Sequence, residues 1–178
     1  YPQTKTEQNS VYLLLAQKKK RQAHVQAIVA LVKKNEFDGI DIDYENKIAD
    51  TRPYFSIFLT ELGIALRKDG KKLICTVEAR TPPESKYGTT SKDILSRVEY
   101  ANDYKEIATH CDEVVIMAYD QQRADLKLNN SKKGLPYVPV SDVDWVRKVL
   151  ELTVLSIPKE KIVLGIPTYG HEYEIVAT

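Results

Sequence analysis

Residues 37–45 read Phe-Asp-Gly-Ile-Asp-Ile-Asp-Tyr-Glu, and no other stretch constrains the fold as tightly. Apolar and acidic residues alternate with a period of two, the pattern of a half-buried strand. Side chains at i, i+2 and i+4 share one face of a strand. Asp41, Asp43 and Glu45 therefore point one way, and Ile40, Ile42 and Tyr44 the other. Successive carboxylates on that row stand roughly 6.5–7 Å apart. Three acids on an apolar strand gain nothing from packing and repel one another, so the arrangement points to chemistry. A solvated edge strand has no need of Ile-x-Ile on its reverse. Magnesium or calcium would suit carboxylate oxygens, but no His and no second Asp-rich loop adjoins the stretch to complete a shell. Catalytic carboxylates are the favoured reading.

The segments around this strand fall into an alternating pattern. The run 11–16 is apolar but too short for its periodicity to separate helix from strand. Residues 23–34 have helical spacing, with Val25, Ile28, Val29 and Val32 on one stripe. A second helix is predicted over 54–68, with Phe55, Phe58, Leu59, Leu62 and Leu66 inward and Gly70 just past its end. Residues 73–77 read as a buried strand, 102–110 as a helix, 113–119 as a third strand, 142–156 as a helix capped by Ser or Asp, and 162–166 as a fourth strand. The stretch 80–91, rich in Pro, Thr, Ser and Gly, reads as a loop, and 121–141 as another long loop. Apolar strands alternating with helices predict an α/β fold with a parallel sheet under helices.

Three segments carry a resemblance. Asp38-Gly39-Ile40-Asp41-Ile42-Asp43-Tyr44-Glu45 resembles the DGxDxDxE signature of glycoside hydrolase family 18, the chitinase family. Met117-Ala118-Tyr119-Asp120 is similar to the family's M-x-Y-D at the end of its sixth barrel strand. Gly165-Ile166-Pro167-Thr168-Tyr169-Gly170 is similar to its seventh-strand G-x-P-x-Y-G. The resemblance implies a (β/α)8 barrel of which this chain carries about four strands, the family's fourth to seventh, as a single partial catalytic domain over 1–178. A complete barrel has eight strands and typically about 250 residues. The family's early strands and its eighth have no counterpart, so an excised piece, a proteolytic remnant or a natural fragment is expected. The only Trp, Trp145, falls in a predicted helix and is not expected to be the family's eighth-strand sugar floor.

In such a barrel, functional residues gather where strands end. Glu45, Glu78, Tyr119, Asp120 and Tyr169 all lie at such junctions. By resemblance, Glu45 is the general acid that protonates the leaving oxygen and then activates water. General acid–base work suits a carboxyl above its ordinary pKa, and like-charged neighbours push in that direction. Asp43 is the group that orients the sugar's acetamido, and Asp41 its proton-sharing partner, so the pair should titrate as a coupled unit. Tyr119 matches the hydroxyl that holds the acetamido group. Asp120, Met117, Tyr169 and Glu78 are expected to bind substrate; for Glu78 a local ion pair in Glu78-Ala79-Arg80 is the alternative. Asp38, of opposite parity, is expected to bond nearby backbone, and Gly39 to permit close approach. Two departures stand out: Tyr44 replaces a frequent Trp, and His171 stands where the family often has Arg.

The implied reaction is hydrolysis of β-1,4-linked N-acetylglucosamine polymers, chitin-type or peptidoglycan, with the substrate's own acetamido oxygen as nucleophile. No metal or organic cofactor is implied. A chitinase-like binding protein usually lacks the catalytic Glu, which Glu45 argues against; self-association of a partial barrel through its exposed edges is the remaining alternative. The formal charge of +1 implies no pull toward nucleic acid or membrane, and no stretch of 18 apolar residues occurs. The basic run 18–21 reads as a solvated helix end. No signal peptide is visible, while the resemblance implies secretion or a place in the cell envelope. Cys75 and Cys111 are expected to be buried free thiols; a disulfide requires Cα atoms within about 7 Å, which sequence does not reveal.

Overall fold

The four apolar strands pair side by side in chain order. The computed structural model describes residues 5–133 and 136–174. Helices α1 (Lys5–Ala16) and α2 (Lys18–Lys34) lead into β1 (Gly39–Ile42), followed by α3 (Arg52–Lys68) and β2 (Lys72–Glu78). Short helices α4 (Pro83–Lys86) and α5 (Lys92–Ser96) precede α6 (Tyr104–His110) and β3 (Glu113–Met117). Then come α7 (Leu126–Ser131), α8 (Val143–Thr153) and β4 (Ile162–Gly165). The sheet order is β1-β2-β3-β4 and every pairing is parallel, as crossover connections containing helices require. Both expected features, an α/β fold and four parallel strands, are present.

Strand parity divides the sheet into two unlike faces. Ile42, Cys75 and Val114 are register partners on one face, as are Val77 and Ile116. All five are buried, in one core with Phe55, Phe58, Leu59 and Leu62 of α3 and Ile107 of α6. The opposite face carries Asp41 beside Ile74 beside Glu113, and Glu78 beside Met117 beside Gly165. The core is therefore on the helix side, and the polar row looks away from it.

Local chemistry sets the ends of the elements. Pro53 opens α3, where its missing N–H costs nothing, and Gly70 takes a left-handed φ of 67° just past the helix. Asp103 caps α6 by accepting from the Lys105 and Glu106 amides, and Asp142 caps α8 through the Asp144 amide. Gly39 is required by a close approach: a Cβ there would lie 2.3 Å from the Lys72 carbonyl oxygen.

Several expectations need correction. The run 11–16, whose periodicity does not separate helix from strand, lies in a helix that reaches back to Lys5. Lys18, Lys19 and Lys20 are solvated, but Arg21 is buried, with Glu61 at 3.1 Å and the Leu15 carbonyl at 2.7 Å as partners. The loops 80–91 and 121–141 hold α4 and α7. The cysteines are not free thiols: Cys75 and Cys111 form a disulfide across a Cα separation of 6.0 Å. The reason lies in the α6–β3 junction. The Asp112 amide donates to the Leu73 carbonyl and the Leu73 amide to the Asp112 carboxylate, both at 2.8 Å, which seats Cys111 against β2.

β1 and β4 are the sheet's edges. On β4, Val163 is 41% and Leu164 37% exposed, so neither face of that strand is well covered. No helix among the described residues is long and apolar enough to cross a membrane.

Candidate functional site

The polar row continues past the end of β1. Ile42 is buried, so the alternation turns Asp41, Asp43 and Glu45 to the far face, where all three are exposed. Tyr44 points to the core instead, its ring 5.8 Å from Phe58 and 6.2 Å from Phe55 and its hydroxyl bonded to His24. Tyr44 thus anchors the segment by its apolar side, with the acids on the opposite side. Directly after Glu45, Asn46 turns the chain with a left-handed φ of 52°.

A cavity of about 370 Å³ opens at the C-terminal ends of the strands. Glu45, Glu78, Met117, Tyr119 and Asp120 line it, together with Asn46, Ala79, Ala124 and Trp145. Five of the eight residues singled out in the sequence thus share one space. Asp41, on β1, and Asp43, just past its end, lead up to the cavity without lining it, and Tyr169 is tied to it through Asp120.

Charge is crowded here. Burial raises the Asp43 carboxyl above its ordinary value, and repulsion from Glu45, Asp41 and Glu78 adds to this, with Lys47 opposing. Asp41 accepts a 2.6 Å hydrogen bond from the Thr76 hydroxyl on the neighbouring strand. Tyr119 is pushed up by burial and then by Asp43, Glu45, Asp120 and Asp41. Its phenol therefore stays neutral, a hydrogen-bond donor facing carboxylates. Its ring is seated against Gly165, where a Cβ would come within 2.9 Å of it.

Asp120 has a left-handed φ of 51°. Its Oδ1 accepts from the Tyr169 hydroxyl at 2.8 Å and lies 3.4 Å from His171 Nε2. The bond to Asp120 raises the Tyr169 phenol to about 12. Glu78 accepts from the Asn46 amide at 2.8 Å and from the Asn102 side-chain amide at 2.6 Å. It does not pair with Arg80, whose guanidinium lies 4.1 Å from the Tyr100 ring centroid and 3.8 Å from that of Tyr104 and donates to the Asn102 carbonyl. Asp38 is exposed, and its main-chain carbonyl accepts from the Lys72 amide at 2.9 Å.

Sequence reasoning missed three contributors. Lys47 donates to the Tyr44 carbonyl and lies 4.5 Å from the Phe55 ring centroid. Burial lowers its ammonium, against the pull of Glu78, Asp43 and Glu45. A cation two residues beyond an acidic row was the available signal. Trp145 does lie in a helix, α8, but it walls the cavity, its indole N–H donating to the Thr81 hydroxyl at 2.7 Å. Asn102 carried no signal, because its role depends on a loop returning to β2.

Residues 5–178 match the family described as glycosyl hydrolases family 18. The chain is 24% identical over 164 residues to a Bacillus subtilis (strain 168) protein named as an uncharacterized glycosylase, YvbX, covering 91% of this chain and 42% of that one. The crystal structure of a chitinase from Chromobacterium violaceum superposes with a TM-score of 0.62 at 30% identity, over 82% of this chain and 40% of that one. The spore cortex-lytic enzyme SleL of Bacillus megaterium superposes with a TM-score of 0.64 at 25% identity, over 86% and 30%. The chain thus spans less than half of each of these proteins. With the family match running over nearly the whole chain, this protein belongs to glycosyl hydrolases family 18.

Proposed function

We propose that the chain supplies the catalytic face of an enzyme that hydrolyses β-1,4-linked N-acetylglucosamine glycans with retention, by a substrate-assisted route. The observation that carries this reading is the shared cavity of Glu45 and Tyr119, with Asp41 of β1 and Asp43 just past the strand leading up to it. In the proposed reaction the acetamido oxygen attacks the anomeric carbon while Glu45 gives its proton to the departing glycosidic oxygen. An oxazolinium ion forms, stabilised by Asp43, with Asp41 sharing that residue's proton. Tyr119 donates to the acetamido group. Glu45, now a carboxylate, takes a proton from water as the water opens the ring, and the original configuration returns. Met117, Asp120 and Tyr169 are the proposed sugar contacts. The resident groups complete this scheme without metal or cofactor.

Two polymers fit the chemistry. Chitinases and a spore cortex-lytic enzyme both stand among the relatives, and the complete D-x-D-x-E leans toward chitin-type glycan. The reading carries with it a place outside the cytosol. The Cys75–Cys111 disulfide supports this, since disulfides persist in oxidising compartments.

The test is fluorophore release from a chitotriose conjugate by this chain and by its Glu45→Gln form. Removing the acid should lower turnover by about 10²-fold or more. Equal rates in the two chains would overturn the assignment of Glu45, and no turnover in the wild type would overturn the claim for the chain acting alone.

One observation favours a further property: β4 is exposed at Val163 and Leu164, and Ile166 beyond it is 69% exposed. We propose that this edge pairs with a second copy when the chain stands alone.

A further inference from the structure

Glu78 is a carboxylate in a cavity already crowded with carboxylates, yet both of its oxygens are engaged by donors from the protein. Oε1 accepts from the Asn46 main-chain amide at 2.8 Å. Oε2 accepts from Asn102 Nδ2 at 2.6 Å. The Glu78 carbonyl also accepts from the Tyr104 hydroxyl at 3.0 Å, which fixes the main chain from which the side chain springs.

Each partner is informative. Asn46 immediately follows Glu45 and holds a left-handed φ of 52°, a conformation that Asn tolerates better than most non-glycine residues and that sets the direction in which the chain leaves Glu45. Its amide is the group that Glu78 grips. Asn102 is buried, and its Oδ1 has no hydrogen-bond partner among the described residues. Its amide orientation therefore serves the bond to Glu78 at the expense of its own acceptor. Behind Asn102, Arg80 donates to the Asn102 carbonyl and is clamped between Tyr100 and Tyr104. A continuous set of contacts thus runs from the loop after β2, through one carboxylate, to the turn that aims Glu45.

We propose that Glu78 is a positioning residue for Glu45, acting through the main chain of Asn46, in place of the sugar contact expected from the sequence. Its charge strengthens the bond to the Asn46 amide. Asp43, Lys47 and Tyr104 feel its charge, and Glu45 shares its cavity. The same charge adds to the repulsion that raises Asp43, so Glu78 influences the acidic row through space as well as through the backbone. The proposal rests on the catalytic reading of Glu45, and its structural part can be measured separately from turnover.

The experiment is backbone NMR on the full 178-residue chain in wild-type, Glu78→Gln and Glu78→Ala forms. Gln retains an acceptor for the Asn46 amide, so E78Q should keep the left-handed amide–α-proton coupling of Asn46. E78A should lose it, and Asn46 amide exchange should accelerate about tenfold or more. Unchanged coupling and exchange in E78A overturn the proposal. Should E78A fail to fold, the wild-type chain decides: the Asn46 amide proton should move with pH in step with the Glu78 carboxyl carbon. A step that follows Asp43 or Glu45 alone overturns it. On the chitotriose conjugate, E78A should lower kcat about tenfold with KM within about twofold, and E78Q should recover most of kcat. A rise in KM alone would mark a sugar contact and overturn positioning. A wild-type chain without turnover overturns catalysis by the chain acting alone, while the Asn46 measurements still decide this proposal.

Discussion

Asp43 links the site's electrostatics to the stability of the fold. Its carboxyl is raised by burial and by three like charges. A carboxyl whose pKa is higher folded than unfolded holds its proton more tightly when folded. Its contribution to stability is therefore complete below the ordinary value of 3.8 and is lost as pH rises through the folded-state value. Asp43→Asn leaves a neutral group at every pH. The variant should melt higher than wild type near neutrality, and the two curves should converge in acid; a wild type that melts higher at neutral pH would show the repulsion to be offset. The same residue marks how much the primary structure disclosed. Parity alone put Asp41, Asp43 and Glu45 on one face, because a two-residue period is a local property. The turn at Asn46 and the anchoring of Glu78 were illegible, because they depend on Asn102, distant in sequence.

At the scale of elements, the disulfide joins β2 to the end of α6. The pairing was not legible: Cys75 and Cys111 are 36 positions apart, and the β2–β3 register and the Leu73–Asp112 bonds bring them together. Both are buried to 1% exposure or less, so reductant should reach them only through opening of the fold. Replacing both by Ala should cost about 2–4 kcal/mol, chiefly through the freedom regained by the unfolded chain. Urea melts of the variant against the oxidised chain measure this, and coincident midpoints would contradict it. The helices were better disclosed than the loops. The stripe of α3 (Phe55, Phe58, Leu59, Leu62 and Leu66) is buried as its spacing required, whereas α4 and α7 are too short to leave a periodic signature.

For the molecule as a whole, the feature that matters is the open sheet. A barrel has no edges, but here β1 and β4 are both terminal strands. β4 turns Val163 one way and Leu164 the other, and both are more than a third exposed. Light scattering on the isolated chain should report a dimer or larger species that grows with concentration. A monomer at all concentrations would remove the proposed pairing. The number of parallel strands was readable because three are largely apolar runs and β1 alternates with a period of two, each set off by helical spacing. How the edges are satisfied is not written in any single strand.

Trp145 gives this architecture a practical consequence. It is the only tryptophan in the chain, it is 1% exposed, and it forms part of the cavity wall beside Ala124 and Ala79. All indole fluorescence therefore originates at one place, and that place adjoins Glu45 and Tyr119. Native emission should be blue-shifted relative to the denatured chain, and a chito-oligosaccharide entering the cavity should alter its intensity or wavelength. An emission spectrum indifferent to saturating sugar would place binding elsewhere. The protein is in this sense its own optical sensor, readable without labels even where no bond is cut.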